Sequence, residues 1–339
     1  MARGVRLTWE GKDLLRGPHE AAPPRRAWAT SDGAGWLMEG DNLRVLGGLA
    51  GSHGQSVTLA YMDPPFFTNR EHAAMLRKAG APRTQRTRVA AFDDRWPDLP
   101  AYLSALGARM EATRPLLAPH GSLVVHVDPK TSHYVRVLGD EIFGAEAFVS
   151  EIVWRYRRWP SKTPNFQRVH DVLLRWRKDV SAVPRWNQPY EPLAASTLAT
   201  WGVKKQRAVF DRDGRRRRSS STEELTAGVP MGDVWEIGVI APVAKERTGY
   251  PSQKPEALLE RLIGALSDQG DRVLDPYAGS GTTLAVAHKM GRAFVGIDAG
   301  PVAIETTLER LRAAGAEMEQ REWAMGENEG GRARRAPAV

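Results

Sequence analysis

The sequence contains no cysteine. That excludes disulfides, thiolate nucleophiles, cysteine-ligated zinc and iron–sulfur clusters. No uninterrupted apolar run approaches the roughly 20 residues needed to span a bilayer. Met1 to Arg26 includes basic side chains but no apolar h-region, so no secretory signal is expected and a cytoplasmic location follows by default. There is no internal repeat. What the chain does have is positive charge: 48 Lys and Arg against 40 Asp and Glu give a formal net charge of +8, which points to a polyanionic partner. Arginine dominates, and its planar fork suits phosphates and guanine edges. Several of the eleven tryptophans adjoin arginines, as in Trp154-Arg155, Arg158-Trp159, Arg175-Trp176-Arg177 and Arg185-Trp186. Interleaved cations and aromatic rings fit a surface that follows phosphates and stacks on bases, although any single pair equally fits ordinary cation–π packing.

Residues 1–30, polar and rich in Pro and Arg, read as an irregular arm. A short strand is expected at Trp36–Glu39, ended by Gly40-Asp41-Asn42, and a helix over Leu43–Leu49. Ser56–Met62 is short, apolar and β-prone, the pattern of a buried parallel strand. It breaks at Asp63-Pro64-Pro65-Phe66. Phe67 to Arg95 is polar, basic and weakly periodic, as a loop would be. Helices are expected over 102–117 and 132–143, and strands over 121–127, 148–154 and 170–176. Pro184, Pro189 and Pro192 then break regularity, and Arg215–Arg218 is a run of four arginines. Beyond Ser252, residues Leu258, Leu259, Leu262, Ile263 and Leu266 share one helical stripe, with Pro255 suited to a first turn. A strand at 272–274, a glycine-rich turn, a helix over 282–290, a strand at 293–297 and a helix over 302–313 follow. Gly326 to Val339 is expected to be disordered. The alternation predicts an α/β fold, a mostly parallel sheet with helices on both faces. Ligands bind such sheets at the carboxyl ends of the strands, and Asp63, Asp275 and Asp298 each directly follow one.

Two segments carry chemistry. Asp275-Pro276-Tyr277-Ala278-Gly279-Ser280-Gly281-Thr282-Thr283 runs from strand through glycine turn to helix start, where backbone N–H groups can approach a ligand closely. No lysine follows its last glycine, so it is not a Walker loop, and it lacks the full G-x-G-x-x-G pattern. An acidic residue before the turn suits a cationic or amino-bearing ligand better than a pyrophosphate. Asp298 ends the next strand, where a carboxylate can hold the two hydroxyls of a ribose. In Asp63-Pro64-Pro65-Phe66 the prolines stiffen the backbone and remove two donors, leaving carbonyls free to accept. Asp63 and the Pro64 carbonyl could together accept both hydrogens of one –NH2 group. For an amine conjugated into an aromatic ring, that raises electron density on nitrogen and favours tetrahedral geometry. Phe66 offers a flat face for stacking a base. Alone, the tetrapeptide equally fits an Asp-Pro turn after a strand.

Together, Asp-Pro-Pro-Phe and Asp-Pro-Tyr-Ala-Gly-Ser-Gly-Thr-Thr resemble the amino-methyltransferases of bacterial restriction–modification and defence systems. The tetrapeptide comes early and the glycine turn late, with a basic variable region between, which is similar to the β-group arrangement. Gly40-Asp41-Asn42 resembles that family's cofactor-adenine contact. His126-Val127-Asp128 with Glu141-Ile142-Phe143-Gly144 resembles its central strand–helix unit, and Tyr250-Pro251-Ser252-Gln253-Lys254-Pro255 the segment beside the methionine end of the cofactor. The family usually has Thr at the position of Ser252 and commonly Tyr at that of Phe66; losing the latter hydroxyl keeps the stacking face.

The resemblance implies a Rossmann-like class I methyltransferase fold, circularly permuted, with an inserted DNA-recognition region. It implies S-adenosyl-L-methionine held by Asp41, Asn42, Gln253, Lys254, Asp275, Tyr277, Ala278, Gly279, Ser280, Gly281, Thr282, Thr283 and Asp298, with Lys254 and Thr283 at its carboxylate. Asp63, Pro64, Pro65 and Phe66 would be catalytic. The transfer would be direct, needing no covalent intermediate and no metal. Arg155, Arg157, Arg158, Arg168, His170, Lys204, Lys205, Arg207 and Arg215–Arg218 are candidates for contacts with double-stranded DNA, and the basic segment 68–95 for closing over a flipped nucleotide. The implied organisation is an arm at 1–30, a catalytic half at 31–154, a target-recognition region at 155–250, a cofactor-binding half at 251–318 and a disordered tail at 319–339. The implied activity is N6-adenine methylation in duplex DNA at the bacterial nucleoid. The alternatives are N4-cytosine methylation, an RNA or protein amino-methyltransferase, and a catalytically silent DNA-binding module. Homodimerisation and companion restriction or defence proteins are further expectations from the family.

Overall fold

The structure is a computed structural model that describes residues 5–12, 20–76, 86–160, 162 and 164–323. It divides into two compact units, one formed by Met1–Trp186 with Asp233–Val339 and one by Asn187–Gly232. The first opens with strands β1 (Arg26–Thr30) and β2 (Gly35–Glu39), helix α1 (Asn42–His53) and strand β3 (Val57–Met62). The hairpin β4 (Glu71–Leu76) and β5 (Thr87–Asp93) follows, then α2 (Leu99–Thr113), β6 (Leu117–Val127), α3 (Pro129–Phe143), β7 (Phe148–Arg155) and β8 (His170–Arg177). The second unit holds β9 (Tyr190–Glu191), α4 (Ala195–Trp201), β10 (Lys204–Phe210), β11 (Arg216–Leu225) and β12 (Val229–Pro230). The first unit resumes with β13 (Val234–Glu236), α5 (Glu256–Leu266), β14 (Arg272–Asp275), α6 (Thr282–Lys289), β15 (Ala293–Asp298), α7 (Pro301–Ala313) and β16 (Met318–Arg321).

Ten strands form one sheet in the order β13-β7-β8-β6-β3-β14-β15-β2-β1-β16. The central strands, β6 through β2 in that order, run parallel. Strand β8 is antiparallel to both β6 and β7, and β1 is antiparallel to β2 and β16. The early strand β3 therefore lies beside the late strand β14, with Ala60 opposite Leu274. The continuous apolar run of β3 follows from this position, because every residue of the strand is buried. The helices pack as two rows, α1–α2–α3 and α5–α6–α7. The period-2 alternation of β15 serves both rows. Val295 and Ile297 join a core with Val45, Leu46 and Leu49 of α1, while a Cβ at Gly296 would lie 2.2 Å from Leu284 of α6.

Several elements differ from the sequence expectations. Arg26–Thr30, expected within an irregular arm, is a sheet strand whose Ala27, Trp28 and Ala29 are buried. Its pattern is too short to declare itself, and pairing on both sides decides the conformation. Helix α1 runs past Leu49 to His53 despite Gly47, Gly48 and Gly51, because its apolar face is anchored by Val45, Leu46 and Leu49. The segment expected as a loop over 67–95 contains the β4–β5 hairpin, with 77–85 outside the described residues. Its buried Ala74 packs with Tyr250, Val302 and Ala303, contacts that no local period announces. Within 155–250, β8 and β13 belong to the main sheet, while β10–β11 and β9–β12 form small ladders in the second unit. Arg216–Leu225, which takes in most of the four-arginine run, is a strand. Met318–Arg321, expected in the tail, pairs with β1; residues 324–339 lie outside the described residues.

Candidate active site

Asp63, Asp275 and Asp298 stand at the carboxyl ends of β3, β14 and β15 and line one cavity of about 390 Å³. The whole tetrapeptide Asp63–Phe66 lines it. So do Asp41, Asn42, Gln253, Lys254, Tyr277, Ala278, Gly279, Ser280, Thr282 and Thr283. Gly281 stands just behind this wall. At φ +72° a Cβ there would meet Thr307 at 2.7 Å, so the turn needs glycine for both conformation and space. The turn is held from below. Asp298 accepts from Gly279 N at 2.9 Å and from Gly300 N at 2.8 Å, and the Thr307 hydroxyl donates to the Gly279 carbonyl at 3.1 Å. Asp41 caps α1 by accepting from Arg44 N, and Asn42 donates to the Pro276 carbonyl at 2.8 Å, tying the start of α1 to the turn. Gln253 braces its own loop by accepting from the Thr248 backbone N and hydroxyl and donating to the Glu246 carbonyl.

The cavity is lined by several carboxylates. Burial pushes Asp275 up to about 7, against a Thr283 hydrogen bond and the Tyr277 N–H, with the nearby Asp63 and Asp298 charges adding to the rise. Burial likewise raises Asp298 above the usual carboxylate range, and it pushes the Tyr277 phenol up to about 12. Three carboxylates at one low-dielectric cleft favour a ligand that brings positive charge.

Asp63 faces two different environments. Oδ2 accepts from the Lys254 ammonium, while Oδ1 is buried without a hydrogen-bond partner. The same ammonium lies 4.9 Å over the Phe66 ring. Lys254, expected at the cofactor's carboxylate, pairs with Asp63 in this structure. The segment after the prolines is strained: Phe67 and Asn69 adopt φ of +56° and +54°. Fully buried Asp94 holds it there, accepting from Phe67 N at 3.0 Å, Thr68 N at 2.7 Å, the Thr68 hydroxyl and Trp96 Nε1.

Behind the tetrapeptide lies a polar group that the sequence did not single out chemically. His126 Nδ1 sits 2.7 Å from the Tyr61 hydroxyl and 3.8 Å from Asp63 Oδ1, and its Nε2 is 3.3 Å from Asp171. Burial opposes ionisation of Asp171, but the His126 hydrogen bond and charge, Lys254 and Tyr156 outweigh it and hold Asp171 below its ordinary range. Only the isolated His126 within an apolar strand hints at this in the sequence. Asp94 and Arg109, which donates to Asn42, give no hint there.

A second hollow of about 920 Å³ shares Phe66, Thr68, Ser252, Gln253 and Lys254 with the first. Of the basic candidates, Arg158 and Arg168 line it, Arg158 donating to the Tyr156 hydroxyl and Arg168 pairing with Asp128. Arg155 pairs with Glu236, Arg157 is exposed and His170 opens β8 half-buried. In the second unit, Lys204 and Lys205 pair with Glu223 and Glu224 across the hairpin, Arg217 pairs with Asp211, and Arg207 is exposed. Among the described residues no cluster of three or more His, Asp or Glu is arranged to hold a metal ion, and no helix is long and apolar enough to cross a membrane.

Residues 57–309 match the family model for DNA methylases of the N6/N4 type. The type II methyltransferase M.EcaI of Enterobacter cloacae is 26% identical over 317 residues, spanning 78% of this chain and 67% of that protein. The type II methyltransferase M.HpaI of Haemophilus parainfluenzae is 30% identical over 210 residues, 62% of this chain and 59% of the relative. Among solved structures, the PvuII DNA methyltransferase, described as cytosine-N4-specific, superposes with a TM-score of 0.53 at 17% identity, covering 83% of this chain and 87% of that one. The M1.HpyAVI–SAM complex gives 0.51 at 18% identity, covering 81% and 98%. At these identities the structural likeness is one of fold, the Rossmann-like methyltransferase fold.

Proposed function

We propose that this chain, which belongs to the N6/N4 DNA methylase family, methylates N6 of an adenine flipped out of duplex DNA at a specific site. The methyl donor of the family is S-adenosylmethionine, whose sulfonium supplies an activated methyl group when bound. The observation that carries the reading is the shared cavity: two motifs far apart in sequence, the tetrapeptide and the glycine turn, both line it. The residues fit a cationic cofactor. Asp275 and Asp298 offer buried carboxylates, one for a cationic group and one for ribose hydroxyls. Asp41, Asn42, Gln253, Tyr277–Ser280, Thr282 and Thr283 complete the wall.

Asp63 and the Pro64 carbonyl would accept the two hydrogens of the target amine. The free Asp63 Oδ1 suits that task, since a buried acceptor without a partner costs stability until something donates to it. In the transfer the methyl's bond to sulfur would break, its electron pair staying on sulfur, as its bond to nitrogen forms; the amine would then shed one proton, which the Asp63 carboxylate could take. Phe66 would stack on the base. For that amine to engage Asp63, the Lys254 ammonium has to give way. Positioning and fixed charges would supply most of the acceleration, and the base must leave the duplex to reach the cavity. Adenine is preferred because the tetrapeptide begins with Asp; an N4 amine of cytosine would meet the same two acceptors.

The test is transfer of labelled methyl from S-adenosylmethionine to duplex DNA, with Asp63→Ala as control, followed by single-molecule sequencing of DNA from expressing cells. The expected result is N6-methyladenine within one short motif, absent with the variant. N4-methylcytosine would overturn the base assignment, and label appearing in RNA or protein but not in DNA would overturn the substrate.

A further inference from the structure

Residues 156–169 connect β7 to β8 and border the second hollow. They carry four basic side chains, Arg157, Arg158, Lys162 and Arg168, and no acidic one. They also hold two aromatic rings almost entirely in water, Trp159 at 92% and Phe166 at 99% exposure. Neither ring contributes to a core. The connection is nonetheless built. Tyr156 N donates to the Val169 carbonyl at 2.9 Å, closing its base. Gln167 Nε2 donates to the Trp159 carbonyl at 2.7 Å, tying the stretch that carries one ring to the stretch that carries the other. Arg168 pairs with Asp128 at the N-terminus of α3. Both rings line the same hollow as Phe66 and Lys254, and those two residues also line the cavity of Asp63. A group passing through the hollow to Asp63 would therefore pass the exposed pair.

We propose that Trp159 and Phe166 form an aromatic wedge that enters duplex DNA where a base is expelled and stacks in the gap the base leaves. The proposal rests on the reading of DNA as the substrate. Expelling a base breaks two stacking contacts, and side chains inserted between base steps can take their place. A flat ring serves any flanking sequence, because every base presents a π-face. The basic neighbours are suited to the phosphates on either side of the gap.

The test measures binding alone, so it does not depend on turnover or on knowing the methylated motif. Two duplexes of one sequence are compared, one intact and one with a single abasic position, against the wild type and the double variant Trp159→Ala/Phe166→Ala. The wild type binds the gapped duplex more tightly. The double variant loses about tenfold or more of that preference, in keeping with the weight of one or two stacked bases. Its affinity for the intact duplex and the salt dependence of that affinity stay the same, as does its thermal melting. Exchanging the rings, with Trp159→Phe and Phe166→Trp, restores the preference. An equal loss on both duplexes would reduce the pair to general surface contacts and overturn the proposal. So would a preference unchanged in the variant or absent from the wild type. Failure of the methylation reading would appear separately, as missing label in the transfer assay.

Discussion

If Asp275 holds the cationic group of the cofactor, as proposed, cofactor binding should depend on pH in a definite direction. Burial at the end of β14, beside Asp63 and Asp298, raises its folded pKa to about 7. A raised acid favours its protonated form in the fold, so that contribution to stability is present below the ordinary carboxylate pKa and is lost as pH rises through about 7. A cationic ligand reverses the preference, because it needs the carboxylate ionised. Affinity for S-adenosylmethionine should therefore rise with pH through about 7. With one proton to remove, affinity at about pH 6 should be roughly tenfold weaker than at about pH 8, and nearly tenfold weaker again at about pH 5, or ~1.4 kcal/mol per unit. Calorimetric titration in two buffers of different protonation heat reads both the affinity and the proton released. Release should approach one per site below neutrality and vanish above about pH 8. Asp275→Asn should bind weakly at every pH with a flattened profile, which removes the ligand's own titration from the comparison. A flat wild-type profile, or the same slope in both proteins, would refute the assignment of a positive group to Asp275.

Asp63→Asn keeps the shape of the tetrapeptide but loses the anionic acceptor. We expect kcat to fall at least about a hundredfold with little change in DNA affinity; a fall under about tenfold in single-turnover assays would remove Asp63 from the chemical step. Asp94→Ala strips the partners from Phe67 N, Thr68 N and Trp96 Nε1, costing on the order of 2–4 kcal/mol, and calorimetry should show a lower Tm together with reduced kcat. Gly281→Ala should be worse than Gly315→Ala, although both residues have positive φ. A Cβ at Gly281 meets Thr307 at 2.7 Å while one at Gly315 meets nothing within 4 Å, so only the first should weaken cofactor binding as well as cost about 1–2 kcal/mol.

The site's two motifs were legible because each is local: a strand, a break and a turn whose residue types already specify backbone behaviour. The β–α alternation was legible for the same reason, and the buried stripe of α5 appeared where its period placed it. What escaped was set by contacts distant in sequence. Strand β1 is defined by its two neighbours in the sheet, and β4–β5 by partners such as Tyr250. Asp94 reads as one acid in a polar stretch until the fold turns four donors onto it. The pairing of Lys254, in the segment before α5, with Asp63 at the end of β3 is likewise set by the fold. Trp159 stood out as an aromatic beside an arginine, but its exposure, and that of Phe166, depends on a connection no periodicity describes.

The pairing of β3 with β14 has a consequence for biosynthesis. Residues 57–62 form a wholly buried, mostly apolar strand whose neighbour on one side is β6, made soon afterwards, and on the other β14, made some two hundred residues later. Until the ribosome has delivered residues 272–275, that strand offers a bare, water-repelling edge of the kind that recruits other chains. Chains cut short within the basic middle region should therefore aggregate rather than persist as a soluble half, and chaperone demand should peak before the last third of the polypeptide emerges.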